Sequence, residues 1–156
     1  MYEEKTYDMK RKVVYNCCGG FGLSNEAWIL YYKYKYPGKD LYFYISIPKV
    51  GKISITLEEA VADPLPVEVL DKDFGPKVSN SDLDSYNEHV VKPGLFEIKR
   101  HDPILVRVVE ELGSERASCM WSSLAVADIG ESLYRIEVYE KGQEKIITPE
   151  TPFEWK

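Results

Sequence analysis

Apolar and polar positions change period several times along the chain, and each change marks an element. Val13-Val14-Tyr15 is a short apolar run without alternation, which predicts an inner strand covered on both faces. Ser24 can cap a helix, and Glu26 suits its first turn. Ala27, Leu30, Tyr31 and Tyr34 then recur at helical spacing as an inward stripe, until Tyr36-Pro37-Gly38 ends the helix. Leu41 to Ile47 is aromatic and β-branched, a strand closed by Pro48. After Val50-Gly51, the positions Ile53, Ile55 and Leu57 alternate with Ser54 and Thr56, the returning arm of a hairpin. Thr56 and Glu59 also have capping-box spacing, so a helical turn through Ala60 competes for the end of that strand.

From Asp63 to Pro93 the chain is rich in Pro, Asp, Ser and Asn and keeps no period, which reads as a long excursion lying outside the core. It can still pack at Val67, Val69, Leu70 and Phe74. Leu95-Phe96-Glu97-Ile98 predicts a short strand. His101-Asp102-Pro103 then opens a second helix, with Asp102 as N-cap and Pro103 at the first helical position. Leu105, Val108, Val109 and Leu112 form its stripe, and Gly113 stands where a terminating glycine belongs. Ser114 to Ser123 reads as a loop with Cys119, Met120 and Trp121 turned inward. Leu124 to Ile129 and Tyr134 to Glu140 read as strands, and Lys141-Gly142 turns the second into Gln143 to Ile147. Met1 to Lys10 is expected to be a loose polar arm, and Thr148 to Lys156 an aromatic tail able to lie on a neighbour. The pattern therefore predicts one α/β (α+β) domain over residues 1–156. Two helices, opening at Ser24 and Asp102, pack on a mixed sheet, and residues 58–93 form an acidic excursion.

Charge sharpens this picture. The net charge is -6, and the stretch from Glu58 to Glu88 holds nine acidic residues against Lys72 and Lys77, so the acidity belongs to that one segment. Such a balance argues against a nucleic-acid groove, which needs clustered Lys and Arg. The strip reads either as solvated surface or as a docking strip for a basic protein partner. No run approaches a membrane span, and Met1 to Lys12 is neither a signal peptide nor an anchor. Three cysteines, two of them adjacent, make no disulfide framework, which points to a reducing, intracellular setting rather than secretion. Twelve tyrosines exceed what a core needs for bulk alone and suggest surface or interface use of some.

The stretch with the most chemical potential is Cys17-Cys18-Gly19-Gly20-Phe21-Gly22-Leu23-Ser24, a glycine turn between strand and helix. Glycine amides at a helix start can hold a phosphate or carboxylate. The loop lacks the Lys-Ser/Thr pair of a P-loop and the spacing of a dinucleotide fingerprint, so a plain tight turn is the commoner use. Cys17 could be a nucleophile with its pKa lowered near a helix start, paired with His101, although buried structural cysteines are far more frequent. Asp102 beside Arg100 could do acid–base work, but a capping aspartate accounts for its position. Three cysteines and two scattered histidines show no zinc spacing, so neither a metal nor another cofactor is expected. The candidate ligand-binding set is thus Cys17, Gly19, Gly20, Phe21, Gly22, Ser24, Arg100, His101 and Asp102.

Three blocks carry a resemblance. Cys17 to Ser24 with Glu26-Ala27, Arg100 to Pro103 leading into Val108-Val109-Glu110-Glu111-Leu112-Gly113, and Tyr139 through Gly142-Gln143-Glu144 resemble a family of uncharacterised small proteins of bacteriophages and large DNA viruses. The likeness covers about half the chain; Cys18 stands where that family has an aromatic residue, and Pro37 to Lys99 resembles an insertion. The resemblance implies a viral protein with no assigned reaction, and no catalytic residue carries over from it. The expected function is a virus-encoded, non-enzymatic interaction protein, a homodimer in the virion or infected cell. The alternative is an anion or nucleotide binder, or a cysteine-dependent enzyme, using the Cys17 to Ser24 loop.

Overall fold

A computed structural model describes residues 11–17, 19–91, 98–130 and 133–148. The expected arm over 1–10, most of the Leu95 to Ile98 strand, Cys18 and the tail beyond Thr148 lie outside the described residues.

β1 (Arg11–Asn16) pairs antiparallel with β5 (Leu124–Gly130), placing Val14 opposite Val126. Val13 and Val14 are both fully buried, as an apolar run without alternation predicts. α1 (Asn25–Lys35) follows, its Ser24 Oγ accepting the N–H of Ala27. The expected stripe is too narrow. Trp28, Ile29 and Tyr32 are buried with Ala27 and Tyr31, while Leu30 and Tyr34 are half-buried. The reason is that α1 is covered on two sides, by α2 (Leu57–Ala62) and by α4 (Pro103–Ala117). Trp28, Tyr32 and Tyr36 stack at successive turns, with ring centroids 6.1 and 6.4 Å apart.

β2 (Tyr42–Ile47) and β3 (Gly51–Ile55) form the expected hairpin. Beyond it the capping box prevails. Thr56 Oγ1 accepts the Glu59 N–H, the Glu59 carboxylate accepts the Thr56 N–H, and Leu57 begins a helix instead of extending the strand.

The acidic excursion corrects the sequence expectation, because it builds core. β4 (Glu68–Leu70) pairs with the free edge of β2 to complete a sheet ordered β3-β2-β4. α3 (Leu83–Glu88) brings Tyr86 against Tyr44, Leu70 and Val78 in a second buried cluster. The cause is the period of two in β2. Phe43 and Tyr44 point to opposite faces; Phe43 joins the main core and Tyr44 needs cover on the other side. Tyr44 Oη accepts the Phe74 N–H at 2.8 Å and donates to the Gly75 carbonyl at 3.0 Å. The buried Asn25 amide donates to the carbonyls of Asp63 and Leu65 and accepts the Val67 N–H, anchoring the segment at its start.

Two further differences concern architecture. The fold is α+β, but the sheet is not one mixed sheet: among the described residues, three small antiparallel sheets hold β1-β5, β3-β2-β4 and the terminal hairpin of β6 (Arg135–Val138) and β7 (Glu144–Ile147). Lys141 and Gly142, both at positive φ, make the turn of that hairpin, as expected. Gly113 interrupts α4 at φ 82, after which one more turn carries the chain to Ala117. Met120 and Trp121 are exposed, 67% and 47%, not tucked in, and the glycine loop lies directly against the Trp121 backbone and ring. No described helix is long and apolar enough to cross a membrane.

Much of the tyrosine surplus is spent inside. Burial, reinforced by a hydrogen-bonded carboxylate, pushes the phenols of Tyr31 (Asp102) and Tyr86 (Glu68) well above their ordinary range, and burial also raises Tyr44. A raised folded pKa stabilises below the ordinary phenol value of about 10 and is lost as pH rises. We therefore expect alkaline unfolding, with the phenolate absorbance of these three tyrosines appearing only together with loss of near-ultraviolet dichroism. Full phenolate titration while that dichroism persists would contradict the burial described.

Candidate functional site

The three sequence blocks meet in space. Arg100, just before the α4 cap, sends Nη1 and Nη2 to Glu144 Oε1 and Oε2 at 2.6 and 2.9 Å, a fork-to-fork pair at the start of β7. Glu144 is buried, with its side chain 5% exposed. Its Oε1 also accepts the Asn16 N–H at 2.8 Å. The Phe21 ring from the glycine loop lies under the guanidinium, 3.6 Å from centroid to Cζ. Arg100 is tied by its backbone too, its carbonyl accepting the Val14 N–H at 2.8 Å. One side chain thus joins β1, the glycine loop, the approach to α4 and the terminal hairpin.

The loop itself is closed by internal bonds. Gly19 N–H donates to the Lys141 carbonyl at 2.6 Å, and the Gly19 carbonyl accepts Asn16 Nδ2 at 2.9 Å. Asn16, fully buried, accepts the Ser123 N–H through Oδ1. Ser122 Oγ donates to the Gly22 carbonyl at 2.7 Å, and Cys17 N–H donates to the Ser123 carbonyl. Gly19 alone among the three loop glycines has positive φ, at 67°, and a side chain there would overlap the Trp121 carbonyl. At Gly22 a Cβ would lie 2.6 Å from Cys119 Sγ, whereas at Gly20 it would make only ordinary contact, 3.7 Å from the Trp121 ring. The glycines admit a close approach of backbone and sulfur.

This geometry uses most of the groups that an anion site would need. Ser24 Oγ caps α1 and donates to the Arg116 carbonyl at 2.6 Å, and the Ser24 N–H donates to the Ala117 carbonyl. Arg100 is neutralised by Glu144. Cys17 is disulfide-bonded, which the expected absence of a disulfide framework did not anticipate, and a disulfide sulfur is not a thiolate nucleophile. His101 sits edge-on to Tyr134, its Nδ1 2.7 Å from the Tyr134 hydroxyl. Asp102 caps α4 through Oδ1, accepting the Ile104 N–H at 2.8 Å, and through Oδ2 accepts the hydroxyl of Tyr31 at 2.8 Å. It therefore bolts the two long helices together. Among the described residues no group of three His, Cys, Asp or Glu side chains is placed to hold a metal ion.

Glu144, Asn16 and Tyr31 complete the junction; the pattern places Tyr31 in an inward stripe and Glu144 in the third block but assigns none of the three to the site. The signal available for Glu144 was its place at the end of the third block. The acidic strip is also partly used internally: Asp71 lies 2.8 Å from His89 Nδ1 and 3.4 Å from Lys39 Nζ. Burial opposes ionisation of Asp71, but the bonds from His89 and Lys39 outweigh it and hold the carboxyl below its ordinary range. Asp73 accepts the Gly75 N–H, and Asp82 the Ser79 hydroxyl. Neutralising these acids would therefore disturb the fold as well as any docking.

Open apolar surface lies elsewhere. Two adjoining hollows, of about 380 and 250 Å³, share Glu26, Val61 and Arg116 and run over α1 between α2 and α4. Leu57, Val61 and Met120 line them and are exposed. Glu26 and Arg116 form an ion pair across the shared part. Comparison of the chain with family models, curated proteins and solved structures finds no match.

Proposed function

We propose that the chain is a virus-encoded, non-enzymatic interaction protein that self-associates as a homodimer, acting in the virion or infected cell. The observation that carries this reading is the contrast between two surfaces. The residues that could do chemistry are consumed by an internal junction, while Leu57, Val61 and Met120 stand exposed along a groove. A twofold pairing needs a self-complementary face, and this one carries Lys33 and Glu115 as well as its apolar positions. The viral origin rests on the resemblance of the three blocks, whose residues meet at the Arg100–Glu144 pair.

Sedimentation equilibrium tests the self-association. The chain should be dimeric at tens of micromolar, and Leu57→Glu with Val61→Glu should leave a monomer with unchanged circular dichroism. A monomeric wild-type chain at those concentrations would overturn the proposal.

A further inference from the structure

The turn joining β2 to β3 carries a residue that its geometry disfavours. Val50 N–H donates to the Ile47 carbonyl at 3.0 Å across Pro48-Lys49, and Lys49 has φ 67. Proline followed by a residue at positive φ is the arrangement of a type II turn, whose third position favours glycine or asparagine. A lysine there is held against its own backbone preference, and such departures gather where a side chain is needed for something other than the turn.

Lys49 lines a groove of about 680 Å³ together with Lys52 and Lys77, over apolar positions Ile47, Val50 and Leu83. Lys77 is fixed there by backbone. Val78 N–H donates to the Lys52 carbonyl and Ser54 N–H to the Pro76 carbonyl, each at 3.0 Å, so residues 76–78 run along the edge of β3. Lys52 is occupied, its Nζ 2.7 Å from Glu68 Oε1. Among the described residues Lys49 and Lys77 have no carboxylate partner, although Lys77 belongs to the most acidic stretch of a chain of net charge -6.

We propose that this groove binds a small soluble phosphate monoester with an apolar substituent. Two unpaired ammonium groups match a dianion, the apolar positions take the organic portion, and the volume is that of a ligand pocket. The site is separate from the groove over α1, so either proposal can fail alone. Calorimetric titration of the full chain with phenyl phosphate tests it, with inorganic phosphate and benzyl alcohol as its two halves. Phenyl phosphate should bind more tightly than either half. Lys49→Gly and Lys77→Gln should each weaken it about tenfold, in line with the loss of one charge-assisted contact. Lys49→Gly should also raise the melting temperature, since glycine relieves the turn, which separates a lost contact from a lost fold. No binding of phenyl phosphate at millimolar concentration, or binding by both variants as tight as by the wild-type chain, would overturn the proposal. So would capture of the chain by phosphatidic acid vesicles without binding of phenyl phosphate, which would assign the lysines to a bilayer surface.

Discussion

Arg100→Ala is expected to remove about 3–5 kcal/mol of stability, because it leaves the buried Glu144 carboxylate without its counter-ion. The guanidinium makes two bonds to Glu144 and covers the Phe21 ring, so Arg100→Lys should recover only part of the loss: an ammonium keeps the charge but not the fork. The informative partner is the double variant Arg100→Met, Glu144→Gln. Glutamine keeps an acceptor for the Asn16 N–H and carries no charge, so the double variant should be more stable than Arg100→Ala alone. Urea unfolding followed by circular dichroism measures all three. An Arg100→Ala chain within about 1 kcal/mol of wild type would show that the pair is not the fastening described here.

Legibility followed the range of the forces involved. The β2–β3 hairpin and both long helices could be read because their signals are local: aromatic and β-branched residues in Leu41 to Ile47, alternation through Ile53 and Ile55, and Ser24 and Asp102 as caps. Gly113 reads as the end of the second helix, whereas one further turn follows it to Ala117. The Arg100–Glu144 pair spans 44 residues and leaves no periodic trace, so neither residue type nor spacing could join its ends. The excursion was misplaced for a related reason. Its apolar residues arrive singly, from a three-residue strand, a bridge and a six-residue helix, and none of these is long enough to show a period. What demanded them was Tyr44, on the second face of a strand that looks like any other half-buried strand in sequence. The site residues were legible as a group, and the glycines serve the plain tight-turn use, the commoner one for such a loop: they admit the Trp121 backbone, the Cys119 sulfur and the terminal turn.

That use of the loop decides which glycine matters. Gly20 is not at positive φ, and Gly20→Ala should be nearly neutral, meeting only the Trp121 ring at 3.7 Å. Gly19→Ala should behave very differently. It combines a left-handed backbone position with direct overlap on the Trp121 carbonyl, a backbone atom that cannot rotate away. Gly142→Ala, also at positive φ, meets a different backbone atom, since its side chain would overlap the Gly19 carbonyl that accepts from Asn16. Each should cost about 3 kcal/mol or more, beyond the roughly 1 kcal/mol of backbone strain alone. Either clash displaces Gly19, whose N–H donates to the Lys141 carbonyl of the β6–β7 turn. Once one variant has broken that bond the second loses less, so the double variant should cost clearly less than the sum of the two. Thermal or urea unfolding of the four chains measures the cycle. Additive losses, or a Gly20→Ala variant as unstable as Gly19→Ala, would mean that the loop does not rest on the terminal hairpin in this way.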